Sequence, residues 1–142
     1  ALSAFLETIA VEGGLGNEAI ELALRHANRE DAHEAITQVI LIGDAGPNTR
    51  AEISKKRQQI GEDYWQRTPF AESTFYENEL EKLIARGIPV HTFFTENQAE
   101  ESFRRIAMRS GGRCERLELH SSTGGQRLID LMTEELCSTF IQ

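Results

Sequence analysis

The run Thr37-Gln38-Val39-Ile40-Leu41-Ile42-Gly43-Asp44-Ala45-Gly46-Pro47-Asn48 decides the fold. Its apolar, β-branched centre ends abruptly in Gly-Asp and a turn, the pattern of a strand buried on both faces. Asp44 then stands just past the carboxyl end of that strand, where open α/β sheets place their ligand chemistry.

Upstream, Leu2, Phe5, Leu6 and Ile9 recur at helical spacing until Gly13-Gly14-Leu15-Gly16 stops them, predicting a short first helix. Asn17 is the expected cap of a second helix, with Ile20, Ala23, Leu24 and Ala27 on one face until Asn28-Arg29-Glu30-Asp31 turns polar. Downstream of the strand, residues 48–72 are the least regular part, a polar segment holding Ile53, Ile60, Tyr64, Trp65 and Phe70. Phe75, Leu80, Leu83 and Ile84 predict a helix closed by Gly87 in a left-handed cap. Residues 88–94 read as a second strand. Asn97 and Glu100 form the signature of a capping box for a helix carrying Ala99, Phe103, Ile106 and Ala107, ended by Gly111-Gly112. Arg116-Leu117-Glu118-Leu119 is a short third strand. Behind Thr123-Gly124-Gly125-Gln126, a C-terminal helix is expected from the repeat of Leu128, Met132, Leu136 and Phe140.

Strands separated by helices, with no tight hairpin signal between them, must be parallel neighbours joined by crossovers. The class is therefore α/β, a parallel sheet with helices on both faces. The 142 residues fit one domain, and 39% hydrophobic residues suffice for one core. Ala1 in place of Met points to a segment of a larger domain or protein.

With 15 Lys and Arg against 23 Asp and Glu, the net charge of −8 disfavours sequence-independent attraction to nucleic acid or an anionic membrane. No apolar stretch approaches the roughly 20 residues that span a bilayer, and the N-terminus lacks the features of a signal peptide. Two cysteines, Cys114 and Cys137, are too few for a disulfide scaffold and show no metal-ligand spacing, so a reducing, cytoplasmic setting is the default. The pair reads either as two free buried thiols or as a bridge between the last strand and the last helix.

His26, His33, His91 and His120 have no ligand spacing, and His91 reads as a satisfied core or sheet-end histidine. No arrangement of nucleophile and base is evident, so the chain is not expected to be an enzyme. The loop Gly13-Gly14-Leu15-Gly16 could cradle phosphate at the start of the following helix, but dinucleotide sites place such glycines directly after a strand, which makes a tight turn the better reading. Arg50, Lys55, Lys56 and Arg57, followed by Tyr64, Trp65, Arg67 and Phe70, form the one basic and aromatic concentration. Two readings stand for it: a partner-binding surface centred on Arg50, Lys55, Lys56, Arg57 and Trp65, or an amphipathic excursion whose Tyr64 and Trp65 cover the sheet.

Three stretches resemble the von Willebrand factor A domain in its fourth strand, fifth strand and following helix. These are Ile40-Leu41-Ile42-Gly43-Asp44-Ala45, Gly87-Ile88-Pro89-Val90-His91-Thr92, and Phe103-Arg104-Arg105-Ile106-Ala107-Met108-Arg109-Ser110-Gly111-Gly112. Gly13-Gly14-Leu15-Gly16-Asn17-Glu18-Ala19 resembles the glycine-rich loop and helix that precede the fourth strand in such domains. The resemblance spans nearly the whole chain. It implies a three-layer, Rossmann-like fold and a protein-binding module of the adhesion type.

Such domains usually hold Mg²⁺ or Mn²⁺ through an Asp-x-Ser-x-Ser loop after the first strand, a middle-loop Thr and an Asp after the fourth strand. Only Asp44 carries over. The chain has no Asp-x-Ser-x-Ser, and its middle loop, Gly14-Leu15-Gly16, has neither Thr nor Asp. A hard dication wants about six oxygen ligands, and Glu12, Glu18 and Asn17 are poor additions, so no tight metal site is expected in this chain alone. The competing functional class is a nucleotide- or phosphate-binding α/β enzyme using residues 13–16, and a third is a structural module without ligand. In the family's sheet order, 3-2-1-4-5-6, the strand around Ile40 would pair with a first strand missing here. That leaves an apolar edge expected to take a second copy in a homodimer or a complementary segment.

Overall fold

Among the described residues, the strand read from Val39 to Ile42 lies at one edge of a three-stranded parallel sheet. The computed structural model describes residues 16–118 and, beyond them, Gln126, Ile129, Asp130, Thr133, Glu134 and Cys137. In chain order the elements are α1 (Ile20–His33), β1 (Val39–Gly43), α2 (Arg50–Ile60), α3 (Glu62–Trp65), α4 (Tyr76–Ala85), β2 (Val90–Phe94), α5 (Asn97–Ser110) and β3 (Cys114–Arg116). The sheet order is β1-β2-β3, with Val39 opposite Val90, Gly43 opposite Phe94, and Thr92 opposite Cys114. The fold is thus α/β, as the alternation of strands and helices requires.

Period-two alternation along β2 sorts its side chains between two clusters. Val90 and Phe94 join Leu24 of α1, Leu80 and Leu83 of α4, and Phe103 and Ile106 of α5. Phe93 meets Leu117 and Ile40 on the opposite face. Thr92, in the middle of the central strand, is fully buried and donates its hydroxyl to the carbonyl of Phe103 at 2.9 Å, so no polar group is stranded there. His91 is 6% exposed and its Nδ1 accepts from the Arg113 amide at 3.2 Å, the satisfied sheet histidine that was expected.

α1 and α4 are joined through a buried carboxylate. Glu79, 1% exposed, accepts from the Thr74 hydroxyl at 2.6 Å, from Asn28 Nδ2 at 2.9 Å and from Lys82 Nζ at 2.9 Å. Burial pushes the Glu79 carboxyl up, but these hydrogen bonds and the Lys82 charge outweigh it and hold it below the ordinary range. Gly111 ends α5 in the left-handed conformation at φ 75°, and Gly112 then crosses β2 so closely that a Cβ would lie 2.1 Å from the Val90 carbonyl oxygen.

Several expectations are corrected. β1 is not buried on both faces: as an edge strand it is only partly covered, and Ile42 is 46% exposed. Residues 48–72 are not irregular but carry α2 and α3. Only Ile53 and Arg57 of α2 are buried, so the helix has no apolar stripe, and it is nucleated instead by a capping box between Thr49 and Glu52. Asn17 does not cap α1, whose cap residue is Ala19, and Asn97 and Glu100 form no box because the cap of α5 is Glu96. α1 runs on through the polar turn to His33. The third strand lies earlier than expected, at Cys114–Arg116. Cys114 is half-buried and Cys137 exposed, and both are free. The first helix, Gly13 to Leu15, and Leu128, Met132, Leu136 and Phe140 lie outside the described residues, while Gln126, Ile129, Asp130, Thr133, Glu134 and Cys137 are helical.

Candidate functional site

The carboxyl ends of β1 and β2 are where the topology directs attention. Asp44 is exposed there, and its backbone carbonyl accepts from Gln98 Nε2 at 3.2 Å. Its carboxylate has no hydrogen bond among the described residues, so neither capping of the Gly-Asp-Ala-Gly-Pro turn nor a ligand role is built into the local geometry. Glu18 is tied to the same turn by backbone bonds, its amide to Gly46 at 2.8 Å and its carbonyl from Asn48 at 2.9 Å. Asn17 is committed elsewhere, donating Nδ2 to Glu52 at 3.0 Å. Among the described residues no group of three His, Cys, Asp or Glu could hold a metal ion. Among the described residues the groove at this end is lined by two residues that carry carboxylates, Asp44 and Glu18, fewer donors than the about six oxygens that Mg²⁺ or Mn²⁺ takes.

The basic and aromatic concentration divides into unlike parts. Arg57 is 9% exposed, and its guanidinium is used within the chain: two bonds to Glu62 at 3.1 and 2.8 Å, and others to the carbonyls of Phe70 at 3.0 Å and Ala71 at 2.6 Å. It also lies 5.0 Å over the ring of Trp65. The bond from Arg57 holds the Glu62 carboxyl below its ordinary range. Arg50 is exposed and stacks 4.1 Å from the Phe75 ring, and Lys55 is exposed. Tyr64, 55% exposed, meets Trp65 edge to face at 5.5 Å.

Where α1, α2 and α3 meet, residues far apart in sequence converge. Lys56 Nζ donates to the Asn17 carbonyl at 3.1 Å and to Asn48 Oδ1 at 2.7 Å, and Asn48 Nδ2 donates to Glu21 Oε1 at 3.3 Å. The Glu52 carboxyl is held down to about 2, chiefly by the Thr49 amide and then by Asn17. Burial instead pushes the Glu21 carboxyl up, only partly countered by its own backbone amide, Asn48 and Lys56. Glu21 and Asn48 were not singled out as site residues from sequence. A glutamate inside the first turn of an amphipathic helix reads as a dipole-favouring surface charge, and only the fold buries it.

The third feature is the outer edge of β1. Val39 donates to the Pro89 carbonyl at 2.9 Å and Gly43 accepts from Thr95 at 3.0 Å, so odd-numbered residues bond toward β2. Ile40 and Ile42 therefore turn their amides and carbonyls outward, and β1 has no second neighbour among the described residues. Beside this edge lies a groove of about 380 Å³, lined in part by Ile20, Ala23, Leu41, Ile42 and Phe103. Scans against family models, curated proteins and solved structures find no match for this chain. No described helix is long and apolar enough to cross a membrane.

Proposed function

We propose that the chain is a protein-interaction module related to the von Willebrand factor A domain, and that its β1 edge receives a strand from a second polypeptide. The observation that carries this reading is the outward backbone of Ile40 and Ile42 beside an apolar groove, with Ile42 46% exposed. Open apolar edges are templates for strand addition. The sheet order supports the family reading, because the stretches that resemble its fourth and fifth strands are neighbouring parallel strands here. In this reading a further helix layer covers Ile40, Phe93 and Leu117, giving three layers. Mg²⁺ or Mn²⁺ would bind at Asp44 only if an incoming loop supplied the remaining oxygens. Arg50 and Lys55 are the exposed cations left for a partner's acidic groups, since Lys56, Arg57 and Trp65 already make contacts within the chain.

The phosphate-binding alternative is less well supported. Carboxylates of Glu18, Glu21 and Glu52 surround the start of α1, and the Glu18 amide is already bonded to Gly46. Sedimentation equilibrium tests the proposal. The chain should associate at micromolar concentration, and Ile42→Pro should weaken association at least tenfold, because it deletes an outward amide without cutting the ladder to β2. A cooperative, well-folded monomer would defeat it.

A further inference from the structure

Granted that the β1 edge accepts a strand, the reading on which the rest depends, its own pattern selects the strand. Ile40 and Ile42, whose amides and carbonyls turn outward, lie symmetrically on either side of Leu41. In an antiparallel ladder two opposed residues exchange both backbone bonds, and a closer, unbonded pair lies between successive bonded ones. A two-fold axis through Leu41 meets that rule with a second copy of the same strand. Ile40 then exchanges bonds with Ile42 of the second copy, Ile42 with its Ile40, and the two Leu41 residues form the close pair.

Side chains and charge favour the same partner. Residues 38–43 hold no charged residue and no proline, the devices that keep exposed edges from pairing. Ile40 packs with Phe93 and Leu117, so Ile42, 46% exposed, has its side chain on that same face, where Ile40 of the second copy becomes its cross-strand neighbour. On the other face Leu41 lines the groove of about 380 Å³ together with Ile20 and Ala23 of α1, and the axis brings the two grooves side by side with a Leu41 in each. Asp44, just past the strand, falls opposite Gln38 of the second copy in this register. Parallel pairing in register would instead set Asp44 against Asp44, and like charges directly opposite are destabilising.

We propose that β1 pairs antiparallel with β1 of a second copy of this chain about a two-fold axis through Leu41, joining the two three-stranded sheets into one. In wild-type protein mixed from isotope-labelled and unlabelled copies, isotope-filtered NMR spectra should show contacts between the two Leu41 Hα atoms and between Ile40 and Ile42 methyls across the axis. Sedimentation equilibrium adds a test by charge. Gln38→Glu sets a like charge opposite Asp44 at both ends of the paired strands and should weaken association about two- to thirtyfold, and adding Asp44→Lys should restore it. Association that protects the Ile40 and Ile42 amides from exchange but lacks the Leu41 contact, or is indifferent to Gln38→Glu, would overturn this pairing and leave the open-edge reading standing. No association, or association that leaves those two amides unprotected, would overturn both.

Discussion

Glu79→Gln should destabilise the protein by about 1.5–3 kcal/mol at neutral pH, the worth of a hydrogen bond to a charged group. The substitution keeps the volume and changes only what the side chain can accept. Glu79 Oε1 takes the Thr74 hydroxyl and Lys82, and Oε2 takes Asn28 and Lys82. A glutamine must turn its NH₂ toward one of those donor sets, so at least one buried donor, Thr74 or Asn28, loses its acceptor. Lys82 is 57% exposed and returns to water at little cost, which keeps the total below that of an isolated buried ion pair.

The pH dependence follows from the depressed carboxyl. The contribution of Glu79 is fully present above its ordinary value of 4.5 and is lost as pH falls through the lower value it has in the folded state. Urea unfolding of wild type and Glu79→Gln at pH 7 and at successive lower pH values should show a gap that narrows below pH 4.5. Equal stability at pH 7, or a gap that does not change with pH, would refute the assignment of Glu79 as an ionised hub between α1 and α4.

Glu21 should behave in the opposite sense. Its carboxyl is raised, so the ionised form costs stability as pH rises above 4.5, and Glu21→Gln should be more stable than wild type at pH 7, with the gain shrinking as pH falls through the raised folded-state value and gone below about 4.5 in the same urea assay. Thr49→Ala removes the hydroxyl that accepts the Glu52 amide at 3.2 Å and should cost about 0.5–2 kcal/mol in thermal unfolding. Gly112→Ala places a methyl against the Val90 carbonyl and should cost about 1–3 kcal/mol or more, and an unchanged midpoint would mean that this crossing is looser than described. Isothermal titration with Mg²⁺ or Mn²⁺ should show no tight site, and a saturable one unaffected by Asp44→Ala would put the ligands elsewhere.

Local signals carried most of the fold. The apolar runs at Val39 to Ile42 and Val90 to Phe94, and the glycines at 87 and 111, mark strands and helix ends through short-range chemistry that sequence displays directly. α2 escaped because its burial is spread over Ile53 and Arg57 rather than a stripe, although Thr49-Arg50-Ala51-Glu52 carried the capping signature in plain view. Edge position was not legible in the local pattern, which read as a strand buried on both faces; the expectation of an open edge came only from the sheet order that the family resemblance implies, because a central and an edge strand can share one composition. The junction of α1, α2 and α3 was beyond sequence altogether. Glu21, Asn48, Lys56 and Trp65 meet there, and nothing in their spacing announces it.

The proposed reception of a second polypeptide at the open β1 edge is tested most directly by residue-resolved amide hydrogen exchange at the bonds concerned. Leu41 and Gly43 bond toward β2 and should be protected at every protein concentration, whereas Ile40 and Ile42 should gain protection only as the chain associates. Strong protection of Ile40 and Ile42 in dilute, monomeric protein would contradict the claim, because the edge would then be covered by the chain itself.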